Sequence, residues 1–325
     1  MKEQDYQSLI PRMRALADGN YFLSSLIVLI NLLIFALAIF LMLSPNILCY
    51  LPGIFILAFQ MNHSYTIMHE CGHSAFLRRP ISNKIWGFIS AFFCLYPFEI
   101  KKHEHMLHHR CTGGFDEPVA KKAMKNFALT SPLVDKVMIF CWKFWIPIFT
   151  ANELVTTWKS SLTSDKRQWR FSSMIAIALY ATIGTFIILQ PNGYLFILKF
   201  AASAYLYMIA LEFFTMPHHV PSVIENRTGS VPFHEQDKYT QSCTPWPAPF
   251  DLLLMLNFNY HVVHHLYPYV HFTKLKEAHA LLGNCEPTVL DTRSEWDIML
   301  EIRRRGFRDV FKKYYIHQTV ASSQL

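Results

Sequence analysis

The sequence predicts an all-α integral membrane protein: four transmembrane helices in two hairpins, further interfacial helices, and a cytosolic helical cap. Three observations carry this prediction. The chain of 325 residues is 52% hydrophobic and 15% aromatic but only 16% charged, too apolar for an ordinary soluble domain. Four apolar runs each hold about the 20 residues a helix needs to cross the hydrocarbon core. Lysine and arginine avoid the two short turns between paired runs and collect in the other connections, as cytoplasmic loops require.

The first hairpin covers residues 21–43 and 47 to about 68, turning at Ser44, Pro45 and Asn46. Residues 171–190 and 194 to about 216 form the second, joined by Pro191, Asn192 and Gly193. Two further apolar segments, 85–100 and 137–158, are expected to lie in or re-enter the interface, the second being interrupted by Lys143 and Pro147. The aromatic residues of the first, Trp86, Phe88, Phe92, Phe93, Tyr96 and Phe98, suit an acyl tunnel or an interfacial belt equally well. The cap comprises about 69–136 and 218–325, and the whole chain reads as one domain.

Charge placement orients the chain. Arg12 and Arg14, Lys101, Lys102 and Arg110, Lys166, Arg167 and Arg170, and Arg303 to Arg305 all fall outside the hairpin turns. Both termini and the long loops are therefore expected in the cytoplasm. The formal charge of +7 is scattered rather than gathered into a stripe, which argues against nucleic acid and for an anionic lipid surface. Seven cysteines without a Cys-x-x-Cys pair suggest neither a disulfide framework nor a zinc-thiolate site.

Histidine carries the chemistry. Three clusters stand out: His69-Glu70-Cys71-Gly72-His73, His105-Met106-Leu107-His108-His109, and His261-Val262-Val263-His264-His265. Spacings of three and four residues place the imidazoles of each cluster within one helical turn of each other. By the predicted topology all eight lie at the cytoplasmic face. Eight imidazoles exceed one ion's needs and suit two. Imidazole accepts zinc, copper, iron or nickel; iron is favoured because attacking a lipid C–H bond requires redox chemistry that zinc lacks.

The motifs HECGH, HMLHH and HVVHH, with four spans in two hairpins, closely resemble the membrane fatty acid desaturases, and HECGHSAF and NYHVVHHLYP resemble the acyl-lipid branch. The resemblance covers roughly residues 23–282. It implies a cap carrying a di-iron site that binds O2 and takes two electrons from a donor protein. It further implies that two hydrogens are removed from adjacent methylenes of a membrane lipid or acyl thioester. The implied ligands are His69, His73, His105, His108, His109, His261, His264 and His265. A ninth matches the region Met216 to His219, with His219 chosen and His218 second.

Glu70 and Glu104 adjoin ligands and are candidates to hydrogen-bond the outer nitrogen of a bound imidazole. Asn257, four residues before His261, would share the ligand face of a helix and hold a metal-bound water. Cys71 reads as a small packing residue and Gly72 as an aid to close helix approach. His63, His103, His234, His271, His279 and His317 lack a partner at ligand spacing and read as ordinary hydrogen-bonded or solvated side chains.

A hydroxylase or carotenoid ketolase on the same metal framework is the nearest alternative. A metal transporter or sensor is remote, since Glu153 and Glu212, the few acids in apolar segments, have no matching partner in the sequence. The chain carries no His-Pro-Gly-Gly haem signature, so the expected donor is a separate ferredoxin or cytochrome b5. The basic residues Lys121, Lys122 and Lys125 suit an acidic donor. No ER-retention signal ends the sequence, which favours a bacterial inner membrane over the ER.

Overall fold

The two expected helix starts at residues 21 and 47 carry their own capping signals. In the computed structural model, which describes residues 3–114, 116–118, 132–220, 228–284 and 292–310, helix α1 (Glu3–Ala15) precedes α2 (Tyr21–Leu43) and α3 (Ile47–Gly72). Asn20 accepts the Leu23 N–H at 3.0 Å, and Asn46 accepts that of Leu48 at 3.0 Å. Each satisfies a backbone donor the first turn leaves open. The later pair is α8 (Arg167–Ile188) and α9 (Gly193–His219). These four helices are long and apolar enough to cross a membrane.

α9 runs beyond the expected end near 216. Pro217 lies inside it, and Val220 still donates to the Met216 carbonyl at 2.9 Å. The helix therefore carries His218 and His219 on its last turn.

Both expected interfacial segments divide into two helices, by the same device. α4 (Pro80–Phe93) gives way to α5 (Phe98–Cys111), and α6 (Pro132–Lys143) to α7 (Ile148–Leu162). Leu95 and Trp145 adopt φ of +66° and +57°, each two residues before a proline. Tyr96 then donates to the Ala91 carbonyl and Ile146 to that of Cys141, both at 2.9 Å. This six-to-one closure satisfies carbonyls at the helix end, and the proline prevents continuation. Further helices are α10 (Phe250–Leu254), α11 (His261–Leu266), α12 (Leu275–Gly283) and α13 (Glu295–Arg305), with 3-10 turns at Phe233–Tyr239 and Phe272–Lys274.

The chain divides into two compact units. One comprises Asn20–Lys102 and Thr150–Leu211, the other Met1–Gly19, His103–Phe149 and Glu212–Leu325. In the first, α2 packs along α3 and α3 along α4. Met42, Leu57, Met61, Cys94, Tyr96, Phe98 and Tyr207 form its interior, so Tyr96 and Phe98 of the aromatic segment are core residues. Large apolar side chains such as Phe22 (79% exposed) and Leu48 (80% exposed) face outward, as lipid-facing surfaces do. His63 is buried, with its Nδ1 3.0 Å from the Asn31 amide, which also donates to Gln60 at 2.8 Å. Such bonds tie α2 to α3 where water is absent.

The second unit has its own interior, built on Met138, Trp142, Cys243, Ile298, Ile302 and Phe307. The two acids read as partnerless in sequence are both paired. Glu153 binds Lys101 and accepts from the Tyr96 hydroxyl at 3.1 Å. Glu212 binds Arg303 at 3.1 Å and accepts the Phe149 N–H at 2.9 Å. Their partners lie 52 and 91 residues away in sequence, beyond any local spacing rule.

Candidate metal centre

A histidine on a helix points at a common ion only if its neighbours share its face. On α5, His105 and His109 are separated by four residues and lie about 40° apart, whereas His108 lies about 100° from His109. The second histidine box therefore has two faces. On α11 the same rule pairs His261 with His265 and turns His264 aside.

Tertiary packing uses both faces. Within the second unit, His105, His109 and His264 form one group, with His105 and His109 Nε2 atoms 3.0 Å apart and the His109 and His264 rings 4.9 Å apart. His108, His219, His261 and His265 form another, with one ring nitrogen from each within 4.8 Å of the rest. His219 Nε2 lies 3.2 Å from His108 Nε2 and 2.8 Å from His261 Nε2. Neither box serves a single group.

These separations fit ion binding. Two imidazoles at right angles on one ion, with bonds of about 2.1 Å, place their nitrogens about 3.0 Å apart. His265 is 2% exposed, and both its ring nitrogens are buried with no hydrogen-bond partner among the described residues. Such atoms are costly to bury unless something else binds them. Burial, followed by the neighbouring imidazoles, holds His109 and His265 well below the ordinary imidazole pKa. They are neutral and offer lone pairs.

His69 and His73 lie in the other unit, at the end of α3, with ring centroids 5.2 Å apart. Glu70 is buried beside them, its carboxylate 3.0 Å from His69 Nδ1. Cys71 is buried. A Cβ on Gly72 would meet nothing closer than 4.0 Å, so close helix approach does not explain that glycine.

His218 departs from its neighbour. Its Nδ1 lies 3.0 Å from the Gln241 carbonyl and 3.6 Å from the Cys243 thiol, and it groups with Cys243 and Glu295. Glu295, in turn, accepts from the Trp246 indole at 3.2 Å.

Asn257 is not on the ligand helix. α11 begins at His261, and Asn257 has φ of +55° in the preceding turn. The four-residue relation to His261 therefore does not apply, and its amide donates to the Phe272 carbonyl at 2.8 Å. Glu104 is half-buried on α5, one residue before His105. His271 caps the 3-10 turn at Phe272–Lys274 and bonds Thr273 at 2.8 Å, away from both groups. Lys121, Lys122, Lys125 and His317 lie outside the described residues.

One functional candidate was not legible locally. Glu117, 6% exposed, places its carboxylate 2.8 Å from His108 Nδ1. It follows α5 after the turn at Gly113, whose φ is +79°. An acid nine residues beyond a histidine has no helical relation to it. The Gly113-Gly114 pair, read as a turn that reverses the chain, is the one available signal.

The fatty acid desaturase family model matches residues 45–296. An sn-1 oleoyl-lipid 12-desaturase of Picosynechococcus sp. is 25% identical over 267 residues, 78% of this chain and 74% of that protein. Another sn-1 oleoyl-lipid 12-desaturase, of Anabaena variabilis, is 23% identical across 62% of this chain and 59% of that protein. A chloroplastic omega-6 fatty acid desaturase of Spinacia oleracea is 25% identical across 73% of this chain and 54% of that protein. The matches thus span little more than half the length of the latter two. With the family match running from before α3 to the start of α13, and both histidine groups of the second unit inside it, this chain is a member of the fatty acid desaturases.

Proposed function

We propose that the protein desaturates a fatty acyl chain of a membrane lipid or acyl thioester, using O2, two histidine-held iron ions and two electrons from a separate ferredoxin or cytochrome b5. The observation that carries this reading is the sorting of seven histidines into two groups, with both nitrogens of His265 buried and unbonded. His69 and His73 are proposed as further iron ligands, and His219 as the ninth. Iron held there would supply the activation of O2 and the two-electron oxidation.

The residues around it have defined tasks. Glu70 on His69 and Glu117 on His108 accept from the ring nitrogen that faces away from the site, which fixes the tautomer and makes the other nitrogen a better donor. Glu117→Gln is expected to weaken iron retention about 10- to 100-fold, read as iron per chain after timed exposure to a chelator. Wild-type retention would remove Glu117 from this role.

The names of the relatives favour acyl-lipid desaturation over hydroxylation or ketolation. The proposed setting is two hairpins, α2 with α3 and α8 with α9, in a bacterial inner membrane. The cap, both termini and the metal site face the cytoplasm, and the whole chain acts as one desaturase domain. The test is expression in a host with simple saturated lipids, supplied with iron and donor, followed by gas chromatography–mass spectrometry of the fatty acids. New double bonds that disappear with His264→Ala support the reading. A hydroxylated or ketone product would move it to the sister chemistry, and unchanged lipids and carotenoids would sink it.

A further inference from the structure

Helix α1 precedes the first span and lies outside the matched residues 45–296. It nevertheless buries Tyr6, Leu9 and Met13 completely or nearly so, and it packs against α12. Both polar ends of Tyr6 are engaged. Its hydroxyl donates to Asp237 at 2.5 Å, and its backbone carbonyl accepts from the Tyr267 hydroxyl at 2.9 Å.

Those two partners flank the histidines. Tyr267 is the C-cap of α11, its own N–H closing on the Val263 carbonyl. Asp237 lies on the 3-10 turn Phe233–Tyr239, which packs against α11. That turn also reaches the second box: Val231, just before it, donates to the Arg110 carbonyl at 2.8 Å. At its far end the Tyr239 ring covers Gly113 so closely that a Cβ there would lie 2.1 Å from it. Farther along, Leu16 accepts the His271 N–H at 3.2 Å, and a Cβ on Gly19 would collide with the His271 ring.

We propose that α1 is a strap on the metal site, and that Tyr6, through Tyr267 and Asp237, is a positioning residue holding the third histidine box in register with the second. α11 is a six-residue helix, too short to hold its own geometry. Its imidazoles must nevertheless meet those of α5 within a few tenths of an ångström to share an ion. The strap supplies the missing constraint at the helix end. The inference rests on the metal-site reading above for its consequence, but not for its geometry.

The experiment compares Tyr6→Phe, Asp237→Leu and Asp237→Asn in the full-length protein by amide hydrogen exchange over residues 259–271, chelator-driven iron loss and thermal unfolding. Tyr6→Phe and Asp237→Leu are expected to hasten exchange in that segment and to speed iron loss about tenfold at nearly unchanged Tm. Asp237→Asn keeps an acceptor for the Tyr6 hydroxyl and should behave as wild type. The Tyr6→Phe/Asp237→Leu pair should be no worse than either single change. Wild-type exchange in both single variants overturns the proposal, as does iron loss that rises only in step with a falling Tm. If the unaltered protein holds no iron and forms no product, the functional reading fails, while the exchange measurement still decides the strap.

Discussion

Replacing His265 with alanine is expected to reduce desaturated product to background and, on the proposed di-iron reading, to lower the iron bound per chain. The residue is placed to do this by geometry. Its ring lies 5.0 Å from those of both His108 and His219, and 4.7 Å from that of His261, measured between centroids. Burial keeps it neutral, and neither nitrogen has another hydrogen-bond partner among the described residues. Loss of an outer partner alone weakens such sites roughly 10- to 100-fold, so loss of a ligand should meet or exceed that range. Fatty acid profiles and iron content are the readouts, with helical content by circular dichroism as the control for folding. Wild-type product from a folded His265→Ala protein would refute its assignment as a ligand.

Arg303→Met is expected to destabilise the protein by about 3–5 kcal/mol, the usual cost of breaking a buried pair from one side. The side chains of Arg303 and Glu212 are 8% and 3% exposed. The guanidinium also donates to the Trp142 carbonyl at 2.8 Å and stacks over the Trp142 ring at 4.1 Å. Without it, Glu212 keeps the Phe149 N–H but loses the guanidinium that faces it at 3.1 Å. Glu212→Leu with Arg303→Met should recover most of the loss, since apolar replacement of a whole buried pair is often neutral. Unfolding of the purified protein in detergent decides it. A shift below about 1 kcal/mol for the single variant would show that Glu212 is solvated or neutral there.

The spans and the histidine boxes were legible because their signals are local. A span is about 20 apolar residues in a row, and Asn20 and Asn46 mark two helix starts within three residues of the groups they cap. A box is two or three imidazoles within about one turn. The splits at Leu95 and Trp145 were less visible, because a non-glycine residue in the left-handed region carries no strong signature. The proline two residues later, in both places, is what the sequence offers. Asn257 shows the opposite failure: a helical spacing was assumed where a turn interrupts it.

The sequence by itself determined the composition suited to a membrane, the four spans and the eight box histidines, along with the region of a ninth. Only the tertiary structure decided how the histidines divide, drawing His105 and His109 to His264, and His108 to His219, His261 and His265. It alone gave Glu117 to His108, Arg303 to Glu212, and Tyr6 to Tyr267 and Asp237. The physical reason is range. Helical periodicity relates residues three or four apart, whereas these partners are separated by between 9 and 261 positions. They meet because burial brings distant segments together, and no spacing rule records that.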